Sequence, residues 1–259
     1  MNNSISLYVD KDTYLTRLHP FTKLVFILAA ISIPLLWGTL WMYIVMIALS
    51  LCLLISGRII RKAYPLIAFS FTIIIMIFLI QGLFNQENKN VLFSVGPLRF
   101  YKEGILYALK IGLNILNMLL CFAVFVLTTK PATLVESLEQ RGVSPRFGYI
   151  VSSVFQIIPQ MIGTMHTIQD AQASRGMETK GNLLVRAKAF IPLISPIVSS
   201  SLINTRERAI ALEVRGFDSK VKKTYMEDHN LKKNDRTFMS LMTILIAISM
   251  IWRIFQWLS

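Results

Sequence analysis

Hydrophobic residues are grouped in long blocks along the chain. Residues 24–56 contain no charged side chain over 33 positions. A single helix of that length would measure about 50 Å, whereas the hydrocarbon core of a bilayer is about 30 Å thick. Because Pro34 and Gly38 interrupt this block near its middle, it predicts two spans. With three later blocks the pattern predicts five membrane spans, at residues 21–37, 39–56, 64–84, 105–128 and 237–259.

The composition supports a membrane protein. The chain is 54% hydrophobic and 16% charged, whereas soluble domains are about 45–50% apolar and about 25% charged. An excess of 27 Lys and Arg over 14 Asp and Glu then indicates a membrane surface and not nucleic acid. Basic residues stand at the start of the first span and directly after the end of the second. Since basic residues are enriched on the cytoplasmic side, this predicts a cytoplasmic N-terminus. The expected fold is an all-α integral membrane protein with four spans in residues 1–128, a cytoplasmic domain in 129–236 and a fifth span in 237–259.

The segment between spans four and five predicts long helices. From Phe147 onward, apolar side chains recur at the i, i+3, i+4 and i+7 spacing of an amphipathic helix. A second helix is expected at residues 183–214, bent or broken at Pro192 and Pro196. An apolar stripe of this kind needs a lipid or protein partner. The side chains expected to form the binding or packing face are Phe147, Val151, Val154, Phe155 and Ile158.

Both long helices are expected to end alike. Each closes on one residue followed by an Arg–Gly pair, Ser174-Arg175-Gly176 in the first and Val214-Arg215-Gly216 in the second. Glycine is the usual residue just beyond a helix C-terminus. The arginines could simply favour the negative end of the helix dipole, an effect of about 0.3–1 kcal/mol. Alternatively, their planar guanidinium groups could bind carboxylates or carbonyls of a partner.

The sequence offers little catalytic or metal-binding chemistry. His19, His166 and His229 lie in three separate segments, and none has a second ligand at metal-site spacing. The stretch from Gly176 to Gly181 has the glycine spacing of a phosphate loop, but the required Lys and Ser or Thr do not follow it. The spans contain no Asp, Glu or His, which an ion-coupled transporter needs at mid-membrane. We therefore expect no catalytic residue, no metal site, no cofactor and no nucleic-acid partner.

Four short segments resemble the transmembrane T component of energy-coupling factor (ECF) ABC transporters, the EcfT and CbiQ-like permeases. Leu18-His-Pro-Phe-Thr-Lys-Leu24 resembles the opening of the family's first span, with His19 where Asp is more usual. Leu127-Thr-Thr-Lys-Pro-Ala-Thr-Leu-Val-Glu-Ser-Leu138 resembles the start of its cytoplasmic domain. The two Arg–Gly helix ends, 40 residues apart (215 − 175), resemble the paired arginine motifs of its coupling helices.

The resemblance implies a non-catalytic scaffold in the cell membrane of a prokaryote. Such a scaffold joins two ABC ATPase subunits, identical or different, to a small membrane protein that captures the substrate, the S component. The ATPases bind ATP and magnesium, and the transported substrate is a vitamin or a transition-metal ion. Arg175 and Arg215 with their neighbours become ATPase-coupling motifs, and the apolar face around Val154 becomes a contact for the S component or for adjacent helices. The N-terminus and residues 129–236 are cytoplasmic in this scheme.

Two other interpretations remain open at the level of the sequence. A membrane structural or assembly protein would use its amphipathic helices at the bilayer surface and would need no ATPase. A conventional ABC permease would carry one Glu-Ala-Ala-like coupling loop, and the sequence contains none.

Overall fold

Helices make up almost all of the secondary structure, as the apolar blocks predict. The computed structural model describes residues 13–84, 90–95, 98–176, 183–219, 221, 224–225 and 231–258. The elements in chain order are α1 (Tyr14–Arg17), α2 (Pro20–Trp37), α3 (Leu40–Ser56), α4 (Ile60–Phe84), β1 (Val91–Val95), β2 (Leu98–Tyr101), α5 (Lys102–Thr128), α6 (Pro131–Glu139), α7 (Pro145–Ser174), α8 (Leu183–Val214) and α9 (Lys233–Leu258). The expected all-α membrane fold is confirmed.

The five predicted spans coincide with α2, α3, α4, α5 and α9. Four of these helices have at least 18 residues and enough hydropathy to cross a membrane, while α3 has 17 residues. Gly38 separates α2 from α3 because it takes a left-handed conformation, with φ of 67°, and its N–H donates to the carbonyl of Pro34. The assignment of residues 1–128 and 237–259 to the bilayer, and of 129–236 to the cytoplasm, stays a prediction.

The chain divides into two compact units. We call Ser6–Ser137 with His229–Ser259 the bundle unit, and Met1–Ile5 with Leu138–Asp228 the insert unit. The bundle unit holds α1 to α5, the β-hairpin and α9, and the insert unit holds α7 and α8.

Helix α5 is central to the bundle unit, where it packs against α2, α3 and α4, while α2 also packs against α9. Small side chains such as Ala29, Ala30 and Ala123 are fully buried in this core, and they let neighbouring helices approach closely. Gly112 of α5 serves the same purpose, since a Cβ atom there would lie 3.1 Å from the side chain of Ile74 in α4.

The outer surface of the bundle unit is apolar along α4 and α9. Phe71 and Ile80 of α4, and Ile251 and Phe255 of α9, are each more than half exposed. Soluble monomers rarely carry contiguous apolar surface of this extent. The exposed faces therefore suit contact with lipid tails or with another membrane protein.

Two local features differ from expectation. Strands β1 and β2 form an antiparallel hairpin in which Val95 pairs with Leu98, in a segment that the hydrophobic blocks leave as a loop. In the insert unit, α8 runs without interruption through Pro192 and Pro196, so the alternative of a broken helix was wrong. Each proline removes one backbone hydrogen bond from the helix. Because the two prolines are four residues apart, both missing bonds lie on the same side of α8, and the hydrogen bonds on its other sides are kept.

Candidate functional site

The insert unit is built on an antiparallel pair of helices. The guanidinium of Arg208 in α8 donates to the side-chain oxygen of Gln160 in α7 at 2.7 Å. The rings of Tyr149, near the start of α7, and Phe217, just beyond α8, lie 5.3 Å apart. As positions in α7 rise from 149 to 160, their partners fall from 217 to 208. The end of α8 therefore lies beside the start of α7.

The C-terminal turn of α8 has the geometry that its glycine predicts. Gly216 has a φ of 70°, which side-chain-bearing residues rarely adopt. Its N–H donates to the carbonyl of Glu213 at 2.9 Å, and the N–H of Phe217 donates to that of Leu212 at 3.0 Å. These two bonds define a Schellman motif, in which Arg215 is the C-cap residue of α8.

The C-terminal turn of α7 shares the cap position of the arginine and the left-handed glycine with that of α8. Arg175 is the C-cap residue, and Gly176 follows with a φ of 87°. The N–H of Gly176 donates to the carbonyl of Ala173 at 3.0 Å. The hydroxyl of Ser174 donates to the carbonyl of Asp170 at 3.0 Å, so this side chain serves its own helix. Both arginine side chains are exposed, and both are therefore accessible to a partner.

The two arginines lie at opposite ends of the helix pair. Because Phe217 contacts Tyr149, Arg215 lies at about the level of residue 151 in α7. Arg175 is 24 residues further along α7 (175 − 151), which corresponds to about 36 Å of helix rise. The pair can therefore contact two separate surfaces, one at each end.

Contacts with the first turns of α7 hold the Arg215 end in place. The rings of Tyr149 and Phe217 meet at a tilt of 57°. A salt bridge of 3.0 Å between Arg146 and Asp218 lies beside this ring contact. Both members of this ion pair are exposed, so its contribution is about 0–1 kcal/mol, and the ring contact carries more of the attachment. Val214, directly before Arg215, is 84% exposed, which gives this end an apolar side chain beside its cation.

The apolar face predicted on α7 is not used to pack α7 against α8. Phe147, Val154, Phe155 and Ile158 are 43–57% exposed, and Val151 is half-buried. The described α7–α8 contact uses an adjacent, more polar side of α7. The side chains that line it include Gln160 and Thr164 of α7 and Ser201, Asn204 and Arg208 of α8. The described contacts leave this face about half exposed, and its partner stays a prediction.

The chain before α7 is held by Glu139. A Cβ atom at Gly148 would collide with the Glu139 carboxylate, so only glycine admits this close contact. The same carboxylate forms a hydrogen bond with Tyr225, and burial, together with the negative charge of Glu139, raises the pKa of Tyr225. The phenol therefore stays neutral at physiological pH and can donate to the carboxylate.

A buried polar cluster in the bundle unit was not found by sequence reasoning. Lys23, in the first turns of α2, is only 4% exposed, and its ammonium donates to the carbonyl of Thr128 at 2.8 Å. Asp235, in the first turn of α9, is 2% exposed and accepts from the N–H of His19 at 3.2 Å. We call His19, Thr22, Lys23, Thr128 and Asp235 the junction cluster. It ties the start of α2 to the end of α5 and the start of α9, where the chain leaves and re-enters the bundle unit.

One signal for this cluster was present in the sequence. Lys23 directly precedes the first apolar block, and Asp235 lies two positions before the last predicted span, but the sequence gives no reason to pair positions so far apart. His19 also has a local role there, because its Nδ1 accepts from the N–H of Phe21 at 3.2 Å. This is the helix N-cap interaction that an Asp side chain at the same position would make.

Within the described ranges, no three His, Cys, Asp or Glu side chains are grouped as metal ligands. Residues 177–182, which include most of the glycine-spaced stretch rejected as a phosphate loop, lie outside the described part of the chain.

Comparison with known proteins agrees with these observations. The family model CbiQ, described as cobalt transport protein, matches residues 11–226. The chain is 30% identical to an energy-coupling factor transporter transmembrane protein EcfT of Staphylococcus aureus, over 95% of this chain and 94% of that protein. It is 28% identical to the EcfT of Leuconostoc gelidum, over 91% and 92%.

A further relative is a longer protein, of which this chain matches only a part. A putative ABC transporter ATP-binding protein of Bifidobacterium longum is 25% identical over 89% of this chain, but the match covers 31% of that protein. The resemblance drawn from the four short segments is confirmed by the family model and by the two full-length relatives. The chain belongs to the CbiQ family, as the non-catalytic transmembrane component of an energy-coupling factor transporter.

Proposed function

We propose that this chain connects the ATP hydrolysis of separate ABC ATPase subunits to the uptake of a substrate held by a second membrane protein. The two ATPases, identical or different, bind ATP and magnesium. They also bind the insert unit of this chain. The S component captures a vitamin or a transition-metal ion and contacts the apolar face of α7. This chain contributes no reacting group and acts as the mechanical link.

The pair of exposed arginines carries the proposal. Arg175 and Arg215 occupy equivalent positions, each at the cap of a long helix and each followed by a left-handed glycine. Their separation of about 36 Å along the helix axis is too large for one small binding site. Two equivalent ends on one rigid pair match two equivalent grooves on a paired ATPase. A guanidinium at each end can form bidentate bonds with carboxylates or carbonyls of its groove.

The relative from Bifidobacterium longum supports an ATPase partner. In that protein the segment similar to this chain makes up about a third of the length, and the protein is named as an ATP-binding protein. A covalent link between a segment similar to this chain and the rest of an ATP-binding protein is expected when the two parts work together. For this chain, an ATPase supplied as a separate subunit would meet the insert unit without a covalent link.

The partners should be revealed by co-purification. When the tagged chain is extracted from its native membrane in mild detergent, we expect ABC ATPase subunits, in a ratio of about two per chain, and one small hydrophobic protein. Mass spectrometry and quantitative staining provide the measurement. A chain that purifies alone, with all partners expressed, would favour the membrane assembly protein instead.

The proposed orientation places the N-terminus and the insert unit in the cytoplasm of a prokaryotic cell. To test it, Cys52 and Cys121 are first replaced by Ser and Ala. Single cysteines are then introduced at Leu92, in the hairpin, and at Val221, both of which are exposed. An impermeant thiol reagent on intact cells should label Leu92→Cys, and should label Val221→Cys only after permeabilisation. The reverse pattern would overturn the orientation.

A further inference from the structure

The bundle unit contains an open cavity that the proposed coupling function does not use. It has a volume of about 360 Å³ and lies between α1, α2, α3, α5 and α9. This volume is in the range of about 300–1,000 Å³ that is typical of small-molecule sites. Most of the wall is apolar, with Phe26, Leu53, Val124 and Phe238 among the lining side chains.

The cavity has a polar end and an apolar end. Lys23 and Asn234 line it close to the first turns of α2 and α9. The Lys23 ammonium has three N–H donors, and among the described residues it makes one hydrogen bond, to Thr128. The other two donors belong to a side chain that lines the cavity and is 4% exposed.

The apolar end opens onto a continuous stripe along α9. Leu241 lines the cavity and is half-exposed. Leu245 and Ile248 follow at i+4 and i+7, so they lie on the same side of the helix, and both are also exposed. This stripe runs from the cavity toward the middle of an apolar helix, which is the path that an acyl chain would take in a bilayer.

Basic residues are close in sequence to residues that line the cavity. Arg17 follows the lining residue Leu15 in α1, and Lys232 and Lys233 directly precede Asn234 at the start of α9. All three basic side chains are exposed. The one buried acid of the junction cluster, Asp235, is turned toward the N–H of His19 and the hydroxyl of Thr22. Among the described residues, the exposed charges next to these lining residues in the chain are therefore basic.

From this arrangement we propose that the cavity binds one anionic phospholipid. One acyl chain occupies the apolar end and continues along the α9 stripe. The phosphate headgroup lies at the polar end, where Arg17, Lys232 and Lys233 surround it and Lys23 donates to its ester oxygens. Recognition combines apolar burial with charge complementarity, as at other basic sites beside membrane spans.

Tryptophan fluorescence in vesicles tests the proposal. The full chain carrying Leu241→Trp is reconstituted with brominated phosphatidylglycerol or brominated phosphatidylcholine, and its quenching is compared with that of the unmodified chain. Ile251→Trp, ten residues further along the same helix and also exposed, is the matched control for general lipid contact. We expect a preference for phosphatidylglycerol of fivefold or more at position 241, and none at 251.

Charge removal extends the test. Each lysine near a membrane surface contributes about a fivefold preference for anionic lipid, so Lys232→Gln with Lys233→Gln should lower the preference at position 241 at least fivefold. As a measurement free of the reporter, the unmodified chain should retain about one phosphatidylglycerol through detergent purification. Equal quenching by both lipids at position 241, an equal preference at 251, or no quenching at 241 would each overturn the proposal.

Discussion

Replacing both Arg175 and Arg215 by Ala is expected to abolish uptake while leaving the helices folded. A hydrogen bond to a charged group contributes about 1.5–3 kcal/mol, and truncating one partner of a buried pair costs about 2–5 kcal/mol. Since each 1.4 kcal/mol is a factor of ten, either single Ala variant should weaken ATPase binding tenfold or more. Both arginines are exposed in the isolated chain, so their loss removes a contact and no internal support. ATPase co-purification and substrate uptake are the measurements.

Two matched variants separate this role from a general charge effect. Arg206 lies on α8 and is exposed like Arg215, but it is two turns away from the helix end, so Arg206→Ala should bind ATPase normally. Arg215→Lys should recover only part of the loss, because Lys keeps the charge without the planar donor geometry. If the double Ala variant assembles and transports normally, the arginines act only on their own helix dipoles, and the coupling assignment is wrong.

Removing the carboxylate of Asp235 is expected to destabilise the bundle unit by about 3–5 kcal/mol, the cost of breaking a buried charge arrangement from one side. Asp235→Ala leaves the N–H of His19 without its acceptor and the buried ammonium of Lys23 without the anion that acts on it. The midpoint of thermal unfolding in detergent measures the loss. Arg236→Ala, at an exposed neighbouring position, should change the free energy of unfolding by no more than about 0.5 kcal/mol.

A double-mutant cycle identifies the electrostatic part of this effect. When both charges are replaced, in Lys23→Met with Asp235→Leu, no uncompensated ion remains in the interior. The double variant should therefore lose less stability than the two single variants added together. Additive losses would show that Lys23 and Asp235 stabilise the bundle unit independently, through Thr128 and His19 alone.

The features that the sequence predicted correctly rest on local signals. Apolar blocks end where Pro, Gly and charged residues begin, and α2 ends at Gly38 for that reason. The glycines at 176 and 216 mark helix ends because the left-handed turn that closes a helix favours a residue without a side chain. The family itself was recognisable from these short motifs and their order along the chain.

The features that could not be predicted from the sequence depend on pairs of residues far apart in the chain. The bond from Arg208 to Gln160 sets the register of α7 and α8, but periodicity reveals which face of a helix is apolar and not which face meets a neighbour. The link from His19 to Asp235 spans 216 positions, and neither residue is unusual on its own. The pattern of hydrophobic residues does not indicate which polar side chains are buried together, so these contacts can be identified only in the folded chain.

The antiparallel register of α7 and α8 has a mechanical consequence. The α7–α8 pair behaves as a strut of fixed length, since its two ends are about 36 Å apart along stiff helices. If two gripping surfaces move toward each other, such a strut cannot shorten and must tilt. When the rod starts out along the line that joins the two surfaces, even a small approach requires a large tilt. Bringing the surfaces closer by about a tenth corresponds to a rotation of about 26° for a rod of constant length. Under the proposed function, a small closing movement at the arginines would be converted into a large swing of a partner bound to the apolar face of α7.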